Sequence, residues 1–401
     1  MRGGEFIFLN LVSTVVYLKR TFHPVGQGAF FTEQFYDADM KPIYNVVYDC
    51  GSKSTDIDQQ MEYDIRNCFH ERKKIDVLFL SHFDDDHVNK VGYLKKKGHL
   101  QGTRIFIPMV LDEKRLGIDP YSNNYDFILS LKEDGEDGIK VIQVRFDDED
   151  AAANRVGRED VTVRTIESFA GGDVISSGTN VTPGVAGLKD IWRYALVNVR
   201  FKELIEEFKR RLKELDPPLD YDQLNEGNYV EENMDSLKKV YRKLGNKPKG
   251  GTAINLNSLL VMSYPRDPKS CSLVSNRNLR IRYTYFRYRA RFGYAGSCLY
   301  TGDTSANETS VWDRIEQMIA QCLAAEMLIL MQVPHHGSKY SYDDKLVNSY
   351  KFLNGFVNYD PYYGQHIFDD DLPMKLAIRK KSLIQVTWEY ASQFEECWRV
   401  G

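Results

Sequence analysis

The chain has 401 residues, of which 42% are hydrophobic and 12% aromatic, so it can bury a sizeable core and a wholly disordered protein is excluded. Charged residues make up 27% and leave a formal net charge of −4 at pH 7. That balance excludes a whole-molecule attraction to nucleic acid or to an anionic membrane, although a local patch could still supply one.

The six cysteines form no CxxC pair, and several lie in apolar stretches where buried reduced thiols are usual. This pattern favours a reducing compartment, and we predict a cytoplasmic location. The apolar run Ile7–Leu18 is β-branched and lacks a small-residue cleavage site, which favours a strand over a signal peptide. No stretch reaches the roughly 18 apolar residues of a membrane span, so we predict no membrane partner.

The predicted elements begin with strands, continue through a helix and reach a short buried strand. Runs of β-branched and aromatic residues broken by Gly and Pro predict strands at Val12–Leu18, Ala29–Phe35 and Ile43–Tyr48. Asp56–His70 predicts a helix. Ile75–Leu80 is a nearly continuous apolar run, which is typical of a strand that is covered on both faces.

Beyond a polar loop, the sequence predicts a helix through Lys97, buried strands at Arg104–Ile107 and Lys140–Val144, and a helix at Tyr125–Leu131 between them. The middle of the chain, from about 190 to 245, is instead polar, rich in charge and helical in pattern. We predict a single domain over residues 1–401 with 190–245 as a helical insertion. Such an insertion is a candidate surface for a protein partner.

The last part of the chain returns to alternating elements. The predicted strands are Ile254–Met262, Leu279–Ala290 and Cys298–Thr301, followed by a helix at Val311–Ala324 and a buried strand at Met327–Val333. Two β-rich segments that flank a helical region predict a layered α/β fold.

Four candidate metal ligands stand within six residues, directly after the predicted strand Ile75–Leu80: His82, Asp84, Asp86 and His87. A strand end is rigid, and the loop after it lets these side chains converge on one point. Imidazole suits Zn, Mn or Fe, while carboxylates shift the preference towards harder ions such as Mn. A solvated acidic turn with incidental histidines is the alternative. We favour a metal site, because this density of ligands after a buried strand is uncommon.

The segment 82–87 reads HxDxDH and resembles the HxHxDH signature of the metallo-β-lactamase superfamily, with Asp84 in place of the second His. This variant is similar to the hydrolase domain of the ComEC/Rec2 competence family. Four further motifs stand in family order: VGQG at 25–28, Asp-x-Gly at 49–51, TGD at 301–303 and PHHGS at 334–338. The match covers roughly residues 19–110 and 252–370. It implies a four-layer αββα sandwich with the helical insertion as an appendage.

The resemblance also implies one or two divalent metal ions, Zn or Mn. The ligands it implies are His82, Asp84 and Asp303 for a first site, and Asp86, His87, Asp303 and His336 for a second. The choice of His336 over His335 is slight. This chain has no His between His99 and His335, so we predict that the first site is short of a ligand and binds weakly or prefers Mn.

Three residues are candidates for catalysis. Asp86 would bind metal and orient the attacking water. His335 would donate to substrate or orient a ligand. His366, which follows Tyr363-Gly364-Gln365, matches a family His approximately and is a candidate general acid or phosphate contact; a surface His is the alternative. Ser338 and Lys339 could hold an anionic group, or could be a capping Ser and a solvated Lys.

The resemblance favours a metal-dependent hydrolase of phosphodiesters, in nucleic acid or in nucleotides, because metal ions activate water and stabilise phosphoryl charge. One alternative is a hydrolase of small esters, thioesters, lactones or phosphorylcholine esters. Another is a metal-binding effector protein with little catalysis. The Arg- and aromatic-rich stretch Arg277–Tyr294 could contact nucleic acid, but an exposed hairpin is the favoured interpretation.

Overall fold

The computed structural model describes residues 15–54, 57–109, 137–145, 163–198, 202–221, 258–278, 294–304, 309–322, 328–339, 341–342, 344–349, 352–360 and 368–401, with a few single residues and short pieces between them. Of the predicted elements, Leu279–Ala290 lies outside the described residues, as do most of the Arg- and aromatic-rich stretch and part of Tyr125–Leu131.

The described strands form two large mixed sheets. Their strands are β1 Val16–Phe22, β2 Gly28–Tyr36, β3 Pro42–Ser52, β4 Val77–Phe79, β5 Arg104–Pro108, β6 Lys140–Arg145, β7 Arg164–Thr165, β8 Val174–Ser176, β9 Thr179–Thr182, β10 Trp192–Asn198, β11 Leu259–Pro265, β12 Cys271–Asn278, β13 Tyr294–Tyr300, β14 Leu328–Gln332, β15 Phe352–Asn358, β16 Ser382–Val386 and β17 Phe394–Val400. The first sheet has the order β12-β17-β1-β2-β3-β4-β5-β6-β8 and the second has the order β16-β15-β14-β13-β11-β10-β9-β7.

The described helices are α1 Asp58–Cys68, α2 Asp85–Val88, α3 Val91–Lys96, α4 Lys202–Lys213, α5 Thr309–Cys322, α6 Asp344–Asn348 and α7 Leu372–Ile378. All of them except α4 pack apolar side chains against one of the two sheets. The predicted helix through Lys97 is therefore two short helices, α2 and α3. No helix among the described residues is long and apolar enough to cross a membrane.

Three hydrophobic cores define four layers. The core between the sheets joins side chains of both, as in the stacked pair Tyr48 and Tyr300, whose ring centroids lie 4.7 Å apart. A second core packs α1 and α3 on the first sheet. A third packs α5, α6 and α7 on the second sheet. The fold is thus a mixed α/β sandwich in the order helix, sheet, sheet, helix, which confirms the predicted αββα architecture.

Strand β4 shows why the sequence pattern was informative. Val77 and Phe79 face the core between the sheets, whereas Leu78 and Leu80 face the helices α1 and α3. Since successive side chains of a strand alternate between its faces, a strand that is covered on both sides is apolar throughout.

The sequence predicts a helical region from about residue 190 to 245, but in the structure the first part of that region is a strand. Trp192–Asn198 is the strand β10, which pairs antiparallel with β11. Its side chains are buried on both faces of the second sheet, so the same rule applies to it as to β4. The helical part starts at Lys202 with α4, and its apolar residues form a small core of their own around Phe208 and Leu212. That this segment is an insertion within one domain stays a prediction.

The sheets place the sequence motifs at one edge. β3 and β4 are parallel neighbours in the first sheet, and β13, β14 and β15 are parallel neighbours in the second. The HxDxDH segment follows β4, the TGD motif follows β13 and the PHHGS motif follows β14. The Leu259 N–H donates to the Ser81 carbonyl at 2.7 Å and joins the two sheets there. Loops from both sheets therefore meet in one place.

Candidate metal centre

The HxDxDH segment turns inward because a helix begins within it. α2 starts at Asp85, immediately after the extended residue Asp84. This places Asp86 and His87 inside the protein, together with His82. Asp84 remains at the mouth of the centre, with 30% of its side chain exposed.

Asp303 lies in the middle of the centre. Its Oδ1 atom is 3.2 Å from His87 Nε2 and 3.5 Å from His336 Nε2. Its Oδ2 atom is 3.8 Å from His82 Nε2 and 3.7 Å from His335 Nε2. A single carboxylate thus faces all four histidines, as the resemblance implies for a residue that bridges two ions.

Two compact sets of ligand atoms lie in this centre. In one set the ligand atoms of His82, His87 and Asp303 all lie within 4.8 Å of one another, and in the other those of Asp86, His87 and His336 do. His87 belongs to both sets. Asp84 belongs to neither set, although its Oδ2 atom is 3.8 Å from His82 Nε2.

A hydrogen bond at Nδ1 fixes the orientation of each histidine ring. The Nδ1 atom of His87 donates to Asp49 at 2.8 Å, and that of His336 donates to the Asn358 carbonyl at 2.9 Å. The Nδ1 atom of His335 lies 2.8 Å from the Ser341 hydroxyl. With Nδ1 held at the periphery, the Nε2 atoms point to the centre, which is the usual arrangement of histidines that bind metal.

The Ser81 hydroxyl fixes the tautomer of His82. The Ser81 hydroxyl donates its one hydrogen to Asp49 at 2.7 Å, so it accepts from His82 Nδ1 at 2.9 Å. The lone pair of His82 Nε2 is then directed at the centre. Asp49 also accepts the Ser81 backbone N–H at 2.7 Å, so it holds the start of the motif loop in place.

The donor set fits a divalent metal ion. The Nε2 atoms of His82, His87 and His336 are buried, and none makes a hydrogen bond of good geometry with the described residues. Buried polar atoms are normally paired, because leaving one unpaired costs about 1–3 kcal/mol. Three imidazole nitrogens that converge beside buried carboxylates match the ligand preferences of Zn and Mn.

Burial and neighbouring charges shift the protonation of these groups in the protein without bound metal. Burial lowers the pKa of His82 to about 3. For His87, burial opposes protonation, but Asp303 and Asp49 outweigh it and raise the pKa. Burial and then Asp86 raise the pKa of Asp84 to about 6. Because a metal ion must displace the proton that His87 holds, we expect metal affinity to fall as the pH falls.

Lys53 is a residue of the centre that the motifs did not indicate. Its Nζ atom lies 2.7 Å from Asp86 Oδ1, and 34% of its side chain is exposed. A single lysine after a strand is usually solvated, which is why sequence reasoning passed over it. The available signal was its place, two residues beyond the Asp-x-Gly motif that ends at Gly51.

The structure describes His99, Ser338 and Lys339 and leaves His366 outside the described residues. His99 binds the Lys73 carbonyl and packs on the Phe69 ring. Ser338 is buried and its backbone pairs with Phe368, while Lys339 is exposed. His366 lies outside the described residues, so its predicted role stays a prediction.

No protein-family model matches this sequence, and no curated protein matches it closely enough to count as a relative. Among solved structures, the chain is similar to the metallo-β-lactamase fold protein YhfI from Bacillus subtilis, with 9% identity, a TM-score of 0.39 and coverage of 95% of this chain and 99% of that one. It is also similar to unliganded yeast PDE1, with 9% identity, a TM-score of 0.36 and coverage of 97% and 100%. Metallo-β-lactamase MIM-1 from Novosphingobium pentaromativorans matches with 9% identity, a TM-score of 0.27 and coverage of 78% and 75%. None of these three similarities tests the resemblance to the ComEC/Rec2 family, so that resemblance stays a prediction.

Proposed function

We propose that the chain is a metal-dependent hydrolase and that its substrates are phosphodiesters of nucleic acids or nucleotides. The observation that carries the proposal is the convergence of three buried imidazole nitrogens on Asp86 and Asp303. The choice of phosphodiesters is supported by the resemblance of the HxDxDH, TGD and PHHGS motifs.

We assign the better supplied site to Asp86, His87 and His336, and the other to His82 and Asp84, with Asp303 between them. When bound, one or two Zn or Mn ions would lower the pKa of a water molecule and stabilise charge on the phosphoryl oxygens. Asp86 Oδ2, which faces His336 Nε2 at 3.3 Å, would accept a hydrogen bond from that water and orient it.

We assign His335 to contact the leaving group of the substrate. Its side chain is 17% exposed, and its Nε2 atom faces Asp303 at the mouth of the centre. The Ser341 hydroxyl holds the other ring nitrogen, so the ring is oriented in advance. In this assignment the Nε2–H group would donate a hydrogen bond to the departing oxygen, which leaves with a proton supplied by water.

The test is hydrolysis by protein that has been stripped of metal and then reloaded with Mn or Zn. We expect turnover of bis-p-nitrophenyl phosphate that chelation abolishes. Asp86→Ala and Asp303→Ala should each lose this turnover while the far-UV circular dichroism and melting temperature stay close to wild type. Asp64→Asn changes a buried carboxyl outside the centre and is the matched control.

Three outcomes would count against the proposal. Wild-type turnover in either alanine variant would mean that the centre is not catalytic. Turnover of p-nitrophenyl acetate without turnover of the phosphodiester would instead support a small-ester hydrolase. Metal binding without hydrolysis of either substrate would support an effector protein.

A further inference from the structure

The end of strand β3 is fastened to the VGQG turn. The Lys53 N–H donates to the Gln27 carbonyl at 2.8 Å, and the Gln27 N–H donates to the Ser54 hydroxyl at 2.8 Å. The Ser52 hydroxyl donates to the Val25 carbonyl at 2.6 Å. These bonds fix the backbone of Lys53, although a lysine in a loop is ordinarily free to move.

Close backbone contacts hold the VGQG turn and the end of β3 against the HxDxDH segment. A Cβ atom at Gly28, whose φ is +154°, would lie 2.4 Å from the Gly51 carbonyl oxygen and 2.7 Å from that of Asp86. A Cβ atom at Gly51 would lie 2.6 Å from the Asp85 carbonyl oxygen. The glycines therefore permit a contact that sets the position of Lys53 relative to Asp86.

The two oxygens of Asp86 face different partners. Oδ2 lies 3.3 Å from His336 Nε2, on the side where a metal ion would bind. Oδ1 lies 2.7 Å from Lys53 Nζ, which has two further N–H donors. A third of the Lys53 side chain is exposed, so the ammonium group lies beside the mouth of the centre together with Asp84 and His335.

The positive charge of Lys53 affects which substrates the centre favours. One or two divalent ions would offset the negative charge of the carboxylates that would hold them, those of Asp84, Asp86 and Asp303. The ammonium group of Lys53 would remain as a positive charge at the mouth of the loaded centre. A cation in that position favours an anionic substrate over a neutral one.

We propose that Lys53 binds a non-bridging phosphoryl oxygen of the substrate, and that the VGQG turn serves to place it there. Lys53 would thus determine specificity for phosphodiesters over neutral esters. This inference rests on the proposed function and adds to it the residue that recognises the substrate charge.

The test compares Lys53→Met, Lys53→Arg and the control Lys19→Met. Lys19 also pairs with a carboxylate, Glu395 at 2.9 Å, and its side chain is 36% exposed, but it lies outside the centre. For each Mn-loaded protein we would measure metal per chain, binding of inorganic phosphate by calorimetry, and kcat/KM for bis-p-nitrophenyl phosphate and p-nitrophenyl acetate.

We expect Lys53→Met to keep its metal, to bind phosphate about 10- to 100-fold more weakly and to lose a similar factor in kcat/KM for the phosphodiester, because one charged hydrogen bond is lost. Its kcat/KM for any hydrolysis of the neutral ester should stay within about threefold of wild type. Lys53→Arg should recover most of the phosphate affinity, and Lys19→Met should behave as wild type.

Wild-type phosphate affinity in Lys53→Met with full metal content would overturn the inference and leave the proposed function standing. Loss of metal from Lys53→Met would also overturn it, because Lys53 would then support Asp86 rather than the substrate. Absence of metal binding or of phosphodiester hydrolysis in the wild-type protein would overturn the proposed function itself, and the role of Lys53 with it.

Discussion

The residue Asp49 joins strand β3 to the candidate metal centre by accepting three hydrogen bonds. Two come from the backbone N–H and the hydroxyl of Ser81, and one comes from His87 Nδ1. Its backbone has φ +54°, a left-handed conformation that Asp tolerates better than most side chains do. Such a conformation persists where the surrounding bonds determine it, as they do here.

We expect Asp49→Asn to weaken metal binding by about 10- to 100-fold, as loss of partners behind metal ligands usually does. An amide offers one acceptor oxygen, so it cannot accept all three of these hydrogen bonds. Competition between the protein and a chelator for Zn would measure the change. Asp64→Asn is the control and should bind Zn as wild type does; equal Zn affinity in Asp49→Asn would contradict the role given to Asp49.

The buried carboxyl group of Asp64, on helix α1, should make the free energy of unfolding depend on pH. The residue is only 6% exposed, and burial raises its pKa from 3.8 to about 6. The folded state therefore holds a proton that the unfolded state has released, so stability falls as the pH rises from about 4 through 6. Asp64→Asn removes this loss, and we expect it to melt about 1–3 °C higher at pH 7.5 but no higher at pH 4. A gain of equal size at both pH values would contradict this assignment.

The sequence predicted the residues of the centre better than it predicted what surrounds them. His82, His87 and Asp303 stand in motifs whose spacing carries information, and the structure brings them together. Lys53 and Asn358 have no such pattern. Lys53 is one of many lysines, and Asn358 contributes only a backbone carbonyl, which any residue would supply.

At the level of elements, strands β1 and β2 carry a buried charge cluster into the core between the sheets. Glu33 accepts hydrogen bonds from Arg20 Nε at 2.8 Å and from the hydroxyls of Ser263, Tyr194 and Tyr300 at 2.8, 2.9 and 3.0 Å. Arg20 also pairs with Glu396. Since Arg20, Glu33 and Glu396 are all buried, each charge depends on the others.

We expect Glu33→Ala to lower the free energy of unfolding by about 3–5 kcal/mol, because it leaves the Arg20 charge and three hydroxyls without their shared acceptor. Glu395→Ala is the control. Its carboxylate pairs with Lys19 near the surface, so its loss should cost less than about 1 kcal/mol. Denaturation in guanidinium measures both values, and similar losses in the two variants would contradict this account of the cluster.

Strand β10 lies at the start of the region that the sequence predicts to be helical. Trp192–Asn198 is too short to show a clear period, and both of its faces are buried. The charged helix α4 begins only four residues later, at Lys202, and its stronger pattern extended the predicted helix backwards. Long-range pairing with β11 decides the outcome, and that pairing is not visible locally.

For the whole molecule, the alternation of strands and helices predicted a layered α/β fold, and the resemblance of the motifs implied the four layers and a common site. The strand order within each sheet could not be predicted. β17, from the end of the chain, lies between β12 and β1, and this arrangement depends on contacts between residues far apart in sequence. The structure adds that loops from both sheets complete the centre, so its integrity depends on the packing of one sheet against the other.

Titration of metal-free protein with Zn and with Mn, followed by calorimetry and by metal analysis, tests the central claim most directly. We expect two unequal steps: the site of Asp86, His87 and His336 fills first, and the site of His82 and Asp84 fills weakly or prefers Mn, since it is short of an imidazole. Asp86→Ala should lose the first step and Asp303→Ala should weaken both. Two equal, tight Zn sites would contradict the predicted inequality. An absence of binding, or binding that neither variant changes, would contradict the assignment of this His and Asp cluster as a metal centre.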